Sequence, residues 1–426
     1  MNNYIPNKIF VLSTFLILIL PSLFFYIFQS LSQGIIIFSI FFLAFSFLIY
    51  PYYLKDFIFQ TLIKFYFIFL FIIIHFLIIY LFVHESDFIR FATSYIVFII
   101  YIISASFFSY LLVYKFDENK SKKFFKSIFY IIIFLCFLCI LRYSALSPFY
   151  LHNYTYLTLF SEPSHFVITV SPFIFYFLVS EKDILKKFSL FLIFMALCLL
   201  IKSTTLLLLL LLSFIIIFSL KLILIIFFSF LFFTLIIYSL GFLEIFNQLI
   251  GTDYYLDRLS LLSTYSNLKI NNNFNFTALV YIANLYEVYL NLMETFFFGI
   301  GFQQFGITGE TSVLRDLIYT KSGFFQYSAS KDATFLAGKF ISEFGIFGIF
   351  FLLLYFFLFI KNIYNIKKNK KFKKNHNLYL FFASIIISFS VELFVRGAGY
   401  FTSSTFLFLA SVIGQQIIIL NNEKKN

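Results

Sequence analysis

Between residues 159 and 166 the chain reads Leu-Phe-Ser-Glu-Pro-Ser-His-Phe, a polar knot between two apolar stretches. Glu162 precedes Pro163, and a proline drives the residue before it into extended backbone. Proline itself suits the first position of a helix. The pair therefore predicts a helix starting at residue 163 with Glu162 as its N-cap. A helix N-terminus favours negative charge, so the carboxylate is expected to stay ionised there. His165 lies three residues on and shares the carboxylate's face, with Ser164 between them. A carboxylate and an imidazole so placed could take a proton from a substrate hydroxyl or orient it. A capping carboxylate beside a hydrogen-bonded interfacial histidine has the same spacing, and spacing does not separate the two.

The arginines form a second set. There are five, Arg90, Arg142, Arg258, Arg315 and Arg396, and all fall on one predicted side of the molecule. A guanidinium is a planar fork that matches phosphate oxygens, often in pairs. Arg142 and Arg396 stand at predicted helix ends and Arg258 stands early in a long loop. Together they could gather a diphosphate at a membrane surface. Arg90 and Arg315 have acidic neighbours, Asp87 and Asp316, and local pairing is the expectation for both. Lys202 interrupts an apolar stretch on the same side and is a further candidate to bind anions.

Glu343 and Glu392 lie in or beside apolar runs, where an acid is a functional candidate by default. Glu392 precedes Arg396 by four residues, which a helical ion pair explains equally well. Gly299-Ile300-Gly301 is a natural helix stop. Gly345 and Gly348 suit close helix packing. Cys136-x-x-Cys139 lies inside an apolar run and reads as packing rather than redox or metal chemistry. No Walker sequence, HExxH or His/Cys metal spacing occurs, so neither a metal nor a cofactor is expected.

The elements that must position these groups follow from hydropathy. Of the 426 residues 62% are hydrophobic, with mean hydropathy +0.97. Runs of about 20 apolar residues are the length of membrane helices. The expected fold is all-α and polytopic, with about twelve transmembrane helices, at roughly 8–28, 34–53, 62–83, 89–114, 124–146, 163–179, 186–201, 204–220, 222–240, 338–360, 378–395 and 402–420. The first run reads as a retained helix rather than a cleaved signal. Residues 188–220 are readable as one long helix or, preferably, two short ones turning at Lys202. Lysine clusters around 55–64, 115–126, 182–187 and 367–374 alternate onto one side, which the positive-inside rule makes the cytoplasm, with both termini. The net charge of +12 belongs to those loops, so no nucleic acid is needed to balance it. The chain divides into helices one to nine (1–240), a large outer loop (241–337) and helices ten to twelve (338–426). Within the loop Leu279, Ile282, Tyr286, Leu290 and Met293 mark one face of a helix, with Asn284, Glu287, Asn291 and Glu294 opposite. That amphipathic helix is expected to lie on the membrane surface or over a cavity.

Four stretches, in order, carry a resemblance: Phe160-Ser161-Glu162-Pro163-Ser164-His165-Phe166; Phe298-Gly299-Ile300-Gly301-Phe302; Lys339 to Gly348 with Glu343; and Phe394-Val395-Arg396-Gly397 with Tyr400. On these the chain resembles the bacterial O-antigen polymerase (Wzy-type) family, within the O-antigen polymerase and ligase superfamily. The resemblance implies a metal-independent glycosyltransferase of the bacterial inner membrane with a large periplasmic loop. Its substrates would be undecaprenyl-diphosphate-linked oligosaccharides, and a chain-length regulator and membrane lipid would be partners. Catalytic roles would fall to Glu162, His165, Arg258 and Arg396. Substrate binding would fall to Arg142, Ser164, Lys202, Gly299, Gly301, Glu343 and Tyr400. Unlike many relatives, this chain has no arginine in 277–296, which leaves Arg258 alone in the loop or assisted by Lys269. The alternatives are an O-antigen ligase and a lipid-linked oligosaccharide flippase.

Overall fold

The computed structural model describes residues 5–28, 31–57, 63–82, 86–143, 160, 162–218, 276–307, 334–368, 375–397 and 399–423. These residues form helices and no strand. In chain order the helices are α1 (Ile5–Phe28), α2 (Leu31–Ile49), α3 (Tyr52–Phe57), α4 (Ile63–Phe82), α5 (Phe88–Lys115), α6 (Glu118–Tyr143) and α7 (Pro163–Ser180). They continue with α8 (Ile184–Leu200), α9 (Thr204–Ile217), α10 (Phe276–Glu294), α11 (Leu336–Phe344), α12 (Ile346–Lys367), α13 (His376–Phe394) and α14 (Ser403–Glu423). Eight are long and apolar enough to cross a membrane. The chain is thus a polytopic helical membrane protein. The predicted helix at 222–240 lies outside the described residues.

The core is built on α7 and α13, which pack antiparallel and bury almost every side chain. Helix α14 packs on α13 and α5. Aromatic rings fill these seams: Phe125 meets Tyr176 at 4.2 Å and Phe381 at 4.9 Å, and Phe389 stacks on Phe408 at 4.2 Å. Offset and edge contacts at such spacings add to area burial. Serines do not break the pattern. Ser171, Ser384 and Ser388 donate their hydroxyls to carbonyls three or four residues back. Each polar group is thereby satisfied inside its own helix, which an apolar surround demands.

Two expected helices are broken. The run at 34–53 bends at Pro51 into α2 and α3. The run at 338–360 is two helices divided at Gly345, whose φ of +57° and ψ of −130° suit only glycine. A side chain there would also strike the Phe297 carbonyl oxygen. Conversely, 188–220 resolves into two helices, α8 and α9, turning through Lys202 at φ +48°. Ser203 caps α9 by accepting from the Leu206 N–H at 3.3 Å.

Helix α10 is present where the amphipathic period placed it, and its polar face is the one mostly buried in the protein. Asn284, Glu287 and Asn291 are buried. Asn284 and Asn291 donate to the Thr334 and Ser342 hydroxyls, the latter at 2.6 Å. Tyr286, Tyr289 and Met293 face outward, continuing into exposed Phe296, Phe297 and Phe298 and then Ile346, Phe347 and Phe350 of α12. The polar residues Asn284, Glu287 and Asn291 thus sit on the inner face, while Glu294 is exposed with the outer one.

The break at residue 345 gives a direct test. Gly345→Ala is expected to cost about 2–4 kcal/mol, against no measurable change for exposed Ser189→Ala. The midpoint can be followed with a thiol-reactive dye, because Cys139 and Cys198 are buried until the fold opens.

Candidate functional site

Pro163 starts α7 and holds Glu162 extended at φ −137°, ψ 152°. The Glu162 carbonyl accepts from the His165 N–H at 3.2 Å, so Glu162 occupies the cap position. Its side chain makes no capping bond. Instead Oε2 accepts from the Ser164 hydroxyl at 2.9 Å and from Arg396 Nη2 at 3.0 Å. Carboxylate and guanidinium stand 234 residues apart in sequence. The Arg396 side chain is 27% exposed and that of Glu162 52%. An ion pair this wet contributes about 0–1 kcal/mol, so a charged ligand can open it at small cost. Arg396 Nε is buried and has no hydrogen-bond partner among the described residues.

Arg396 reaches Glu162 because α13 stops two residues earlier. The helical pair that the spacing allowed between Glu392 and Arg396 does not form, since four-residue spacing joins side chains only while the helix continues. Glu392 accepts instead from the Thr402 hydroxyl at 2.7 Å. The Arg396 N–H returns to the Val391 carbonyl at 3.0 Å, and the Gly397 N–H goes to the Thr334 carbonyl at 2.7 Å. These bonds start a strap, described at residues 395–397 and 399–402, across one end of the bundle.

His165 lies beside the pair, one turn into α7. With Ser22, Thr169, Thr402 and Ser403 it lines a recess of about 20 Å³, room for about one water or one hydroxyl. Arg142, in the last turn of α6, donates Nη1 to the Phe160 carbonyl and ties down the segment entering Glu162. The structure thus gathers Arg142, Glu162, Ser164, His165 and Arg396 at one end of α6, α7 and α13. The lysine-bearing turns after α5 and α7, and the C-terminal end of α12, fall at the opposite end. Lys202 lies in the turn after α8 and forms no bond with this group among the described residues. Arg258 and Arg315 lie outside the described residues.

Four other predicted residues meet at a second place. Glu343 is fully buried, and Lys339, one turn earlier, is 1% exposed. Glu343 Oε2 accepts from the Gln303 N–H and the Tyr400 hydroxyl, both at 2.8 Å. Oε1 accepts from the Phe305 N–H at 3.3 Å and lies 3.9 Å from Lys339 Nζ. Burial pushes the Glu343 carboxyl above the ordinary carboxylate range, against the opposite pull of Lys339 and the three hydrogen bonds. Burial, then the adjacent carboxylate, also holds the Tyr400 hydroxyl well above its usual value. Gly299 and Gly301, at φ +86° and +95°, turn the chain around this node. A Cβ on Gly299 would lie 2.6 Å from the Glu343 carbonyl oxygen. The Ile300 and Gly301 N–H groups donate to the Ser342 and Glu343 carbonyls at 3.0 and 2.9 Å.

Sequence reasoning missed Lys339, Gln303 and the strap itself. Lys339 had a visible signal, a lysine four residues before an acid in an apolar run. Gln303 had none, because its N–H matters through its place in a turn. The expected Arg90–Asp87 ion pair is also absent. Asp87 caps α5 by accepting from the Arg90 backbone N–H at 2.9 Å, and the guanidinium points elsewhere.

No protein-family model, curated protein or solved structure matches this chain.

The two clusters should respond differently to mutation. Glu343→Ala strands Lys339 in the interior, at a cost of about 3–5 kcal/mol, and should sharply lower the monodisperse protein recovered from membranes. The double change Lys339→Met with Glu343→Leu should restore much of it. Glu162→Ala should leave recovery near wild type. Size-exclusion profiles of fluorescently tagged protein read all three.

Proposed function

We propose that this chain is a repeat-unit polymerase of the O-antigen polymerase type, acting at the outer face of a bacterial inner membrane. One observation carries the reading. Two of the stretches that resemble that family, Glu162-Pro163-Ser164 and Val395-Arg396-Gly397, meet as a half-exposed acid and guanidinium 3.0 Å apart. In this reading the chain has about twelve spans, residues 241–337 form the periplasmic loop, and both termini are cytoplasmic.

The reaction is glycosyl transfer. A hydroxyl oxygen of one lipid-linked repeat unit attacks the anomeric carbon of a glycan on undecaprenyl diphosphate. The new carbon–oxygen bond forms as the bond to the diphosphate breaks. The hydroxyl proton passes to Glu162 or His165, and undecaprenyl diphosphate leaves as an anion. Fixed positive charge aimed at that leaving group lowers the barrier. Arg396 supplies it, with Arg258 and Arg142 assigned the same task by the resemblance. Arg396 Nε, buried and without a partner among the described residues, leaves the guanidinium a further donor. The recess beside His165 suits a single hydroxyl. No metal and no nucleotide sugar is required.

Deleting the gene should leave single repeat units on the cell surface. Loss of a ligase would instead leave polymer on the lipid carrier, and loss of a flippase would strand units on the cytoplasmic face. In the complemented strain Glu162→Gln, Arg396→Ala and Arg258→Ala are each expected to remove long chains at normal protein level. With purified protein and a defined lipid-linked unit, Arg396→Ala should lose about 10²-fold or more in rate. Wild-type chain-length ladders from all three variants would overturn the assignment.

A further inference from the structure

Arg90 is the described arginine that the candidate site leaves unused. It sits on the first turn of α5 and makes no side-chain hydrogen bond or ion pair among the described residues. Its one acidic neighbour in sequence, Asp87, is engaged by the backbone. The guanidinium lines a cavity of about 240 Å³ with Thr93, Ser94, Gln303 and Tyr400. Gln303 gives its amide oxygen to Lys339 at 3.3 Å, and its amide N–H group has no partner among the described residues. Ser94 likewise forms no side-chain hydrogen bond there. The cavity therefore offers one cation and at least two neutral donors, and no carboxylate lines it among the described residues.

A second cavity, of about 360 Å³, is almost wholly apolar. Its walls include Phe98, Ile102, Phe302, Phe340, Phe344 and Tyr400. Tyr400 belongs to both walls. Elsewhere the two linings run on through adjacent residues: Val97 of the polar cavity precedes Phe98 of the apolar one, and Phe302 of the apolar cavity precedes Gln303 of the polar one. From Arg90 to Ile102, α5 rises about 18 Å at 1.5 Å per residue. A charged, donor-rich space thus stands above an oily one along a single helix. That sequence of environments matches an amphiphile with an anionic head.

We propose that these adjoining cavities bind a phosphate-bearing lipid. Its phosphate oxygens would lie on the Arg90 guanidinium, with Ser94 and the Gln303 amide as further donors. Its tail would run down α5 between Phe98, Ile102 and Phe302. The site is separate from the Glu162–Arg396 pair. Gly399, Tyr400 and Phe401 of the strap line the Arg90 cavity, whereas Thr402 and Ser403 line the recess beside His165. A bilayer phospholipid and a polyprenyl phosphate share this chemistry, and the inference does not depend on the reaction proposed above.

The chain contains no tryptophan, so Phe98→Trp places a single fluorescent reporter on the tail cavity. The full-length variant in detergent is titrated with phosphatidylglycerol brominated in its acyl chains, and with equally brominated diacylglycerol, which lacks the phosphate. Phosphatidylglycerol is expected to quench at tenfold or lower mole fraction. Arg90→Ala should abolish that preference and Arg90→Lys should keep part of it. As a second measurement, phosphatidylglycerol should raise the thiol-dye midpoint of the unsubstituted chain above its value with diacylglycerol, and Arg90→Ala should remove the increment. Displacement of the quencher by a polyprenyl phosphate assigns the site to an isoprenoid carrier, and failure to displace assigns it to a bilayer phospholipid. Each of these supports a phosphate lipid. Equal quenching by diacylglycerol, or a preference intact in Arg90→Ala, overturns the proposal. Displacement by inorganic phosphate as effective as by any tailed phosphate overturns the amphiphile. Quenching reads binding alone, so its failure is distinct from any failure of polymer formation.

Discussion

The structure depends on a carboxylate that has been taken out of water. Glu343 is fully buried, and burial outweighs Lys339, two backbone N–H groups and the Tyr400 hydroxyl in setting its proton affinity. Such a node is a poor source of net stability. What it supplies is placement. The acid joins the turn after α10, the helix α11 and the described parts of the strap, three segments apart in sequence, and backbone bonds from Ile300 and Gly301 reinforce the first of these junctions. Tyr400 ties the described part of the strap to Glu343, and this fixes its path across the end of the bundle. That path sets Arg396 against Glu162 on one side and leaves the Arg90 cavity open on the other.

The two acids of the candidate region therefore do different work. Glu343 is fully buried and accepts three hydrogen bonds inside the protein, with Lys339 beside it. Glu162 shares one oxygen between a hydroxyl and a guanidinium, and its partner's Nε has no acceptor among the described residues. A weak, wet ion pair is easily displaced by a ligand, and a dry, fully bonded one is not. This contrast in solvation, more than the presence of acids in a membrane protein, separates the group suited to chemistry from the group suited to architecture. Tyr400 and the glycines at 299 and 301 belong with the second kind in their contacts, since each shapes or completes the node.

Much of this was legible in residue order. Apolar runs of bilayer length gave the class and most helix positions. Pro163 gave the start of α7 and the extended backbone of Glu162. Breaks were less legible: Gly345 sits in an apolar run that reads as one helix, and only its positive φ divides α11 from α12. The amphipathic period of α10 correctly marked two faces. Periodicity reports that faces differ and not which one is buried, and here most of the polar face went in, with Glu294 left exposed.

Ion-pair partners were the least legible. Sequence proximity offered Asp87 for Arg90 and Glu392 for Arg396, and neither pair formed. Asp87 was taken by a backbone N–H at a helix start, and α13 ended before Arg396 could face Glu392. What the sequence determined by itself was local: helix length from hydropathy, helix starts from proline, and the kind of solvent the chain requires. Which charges meet was decided only by tertiary structure. Charge contacts need side chains within a few ångströms, and that depends on where helices stop and how a buried carboxylate draws distant segments together.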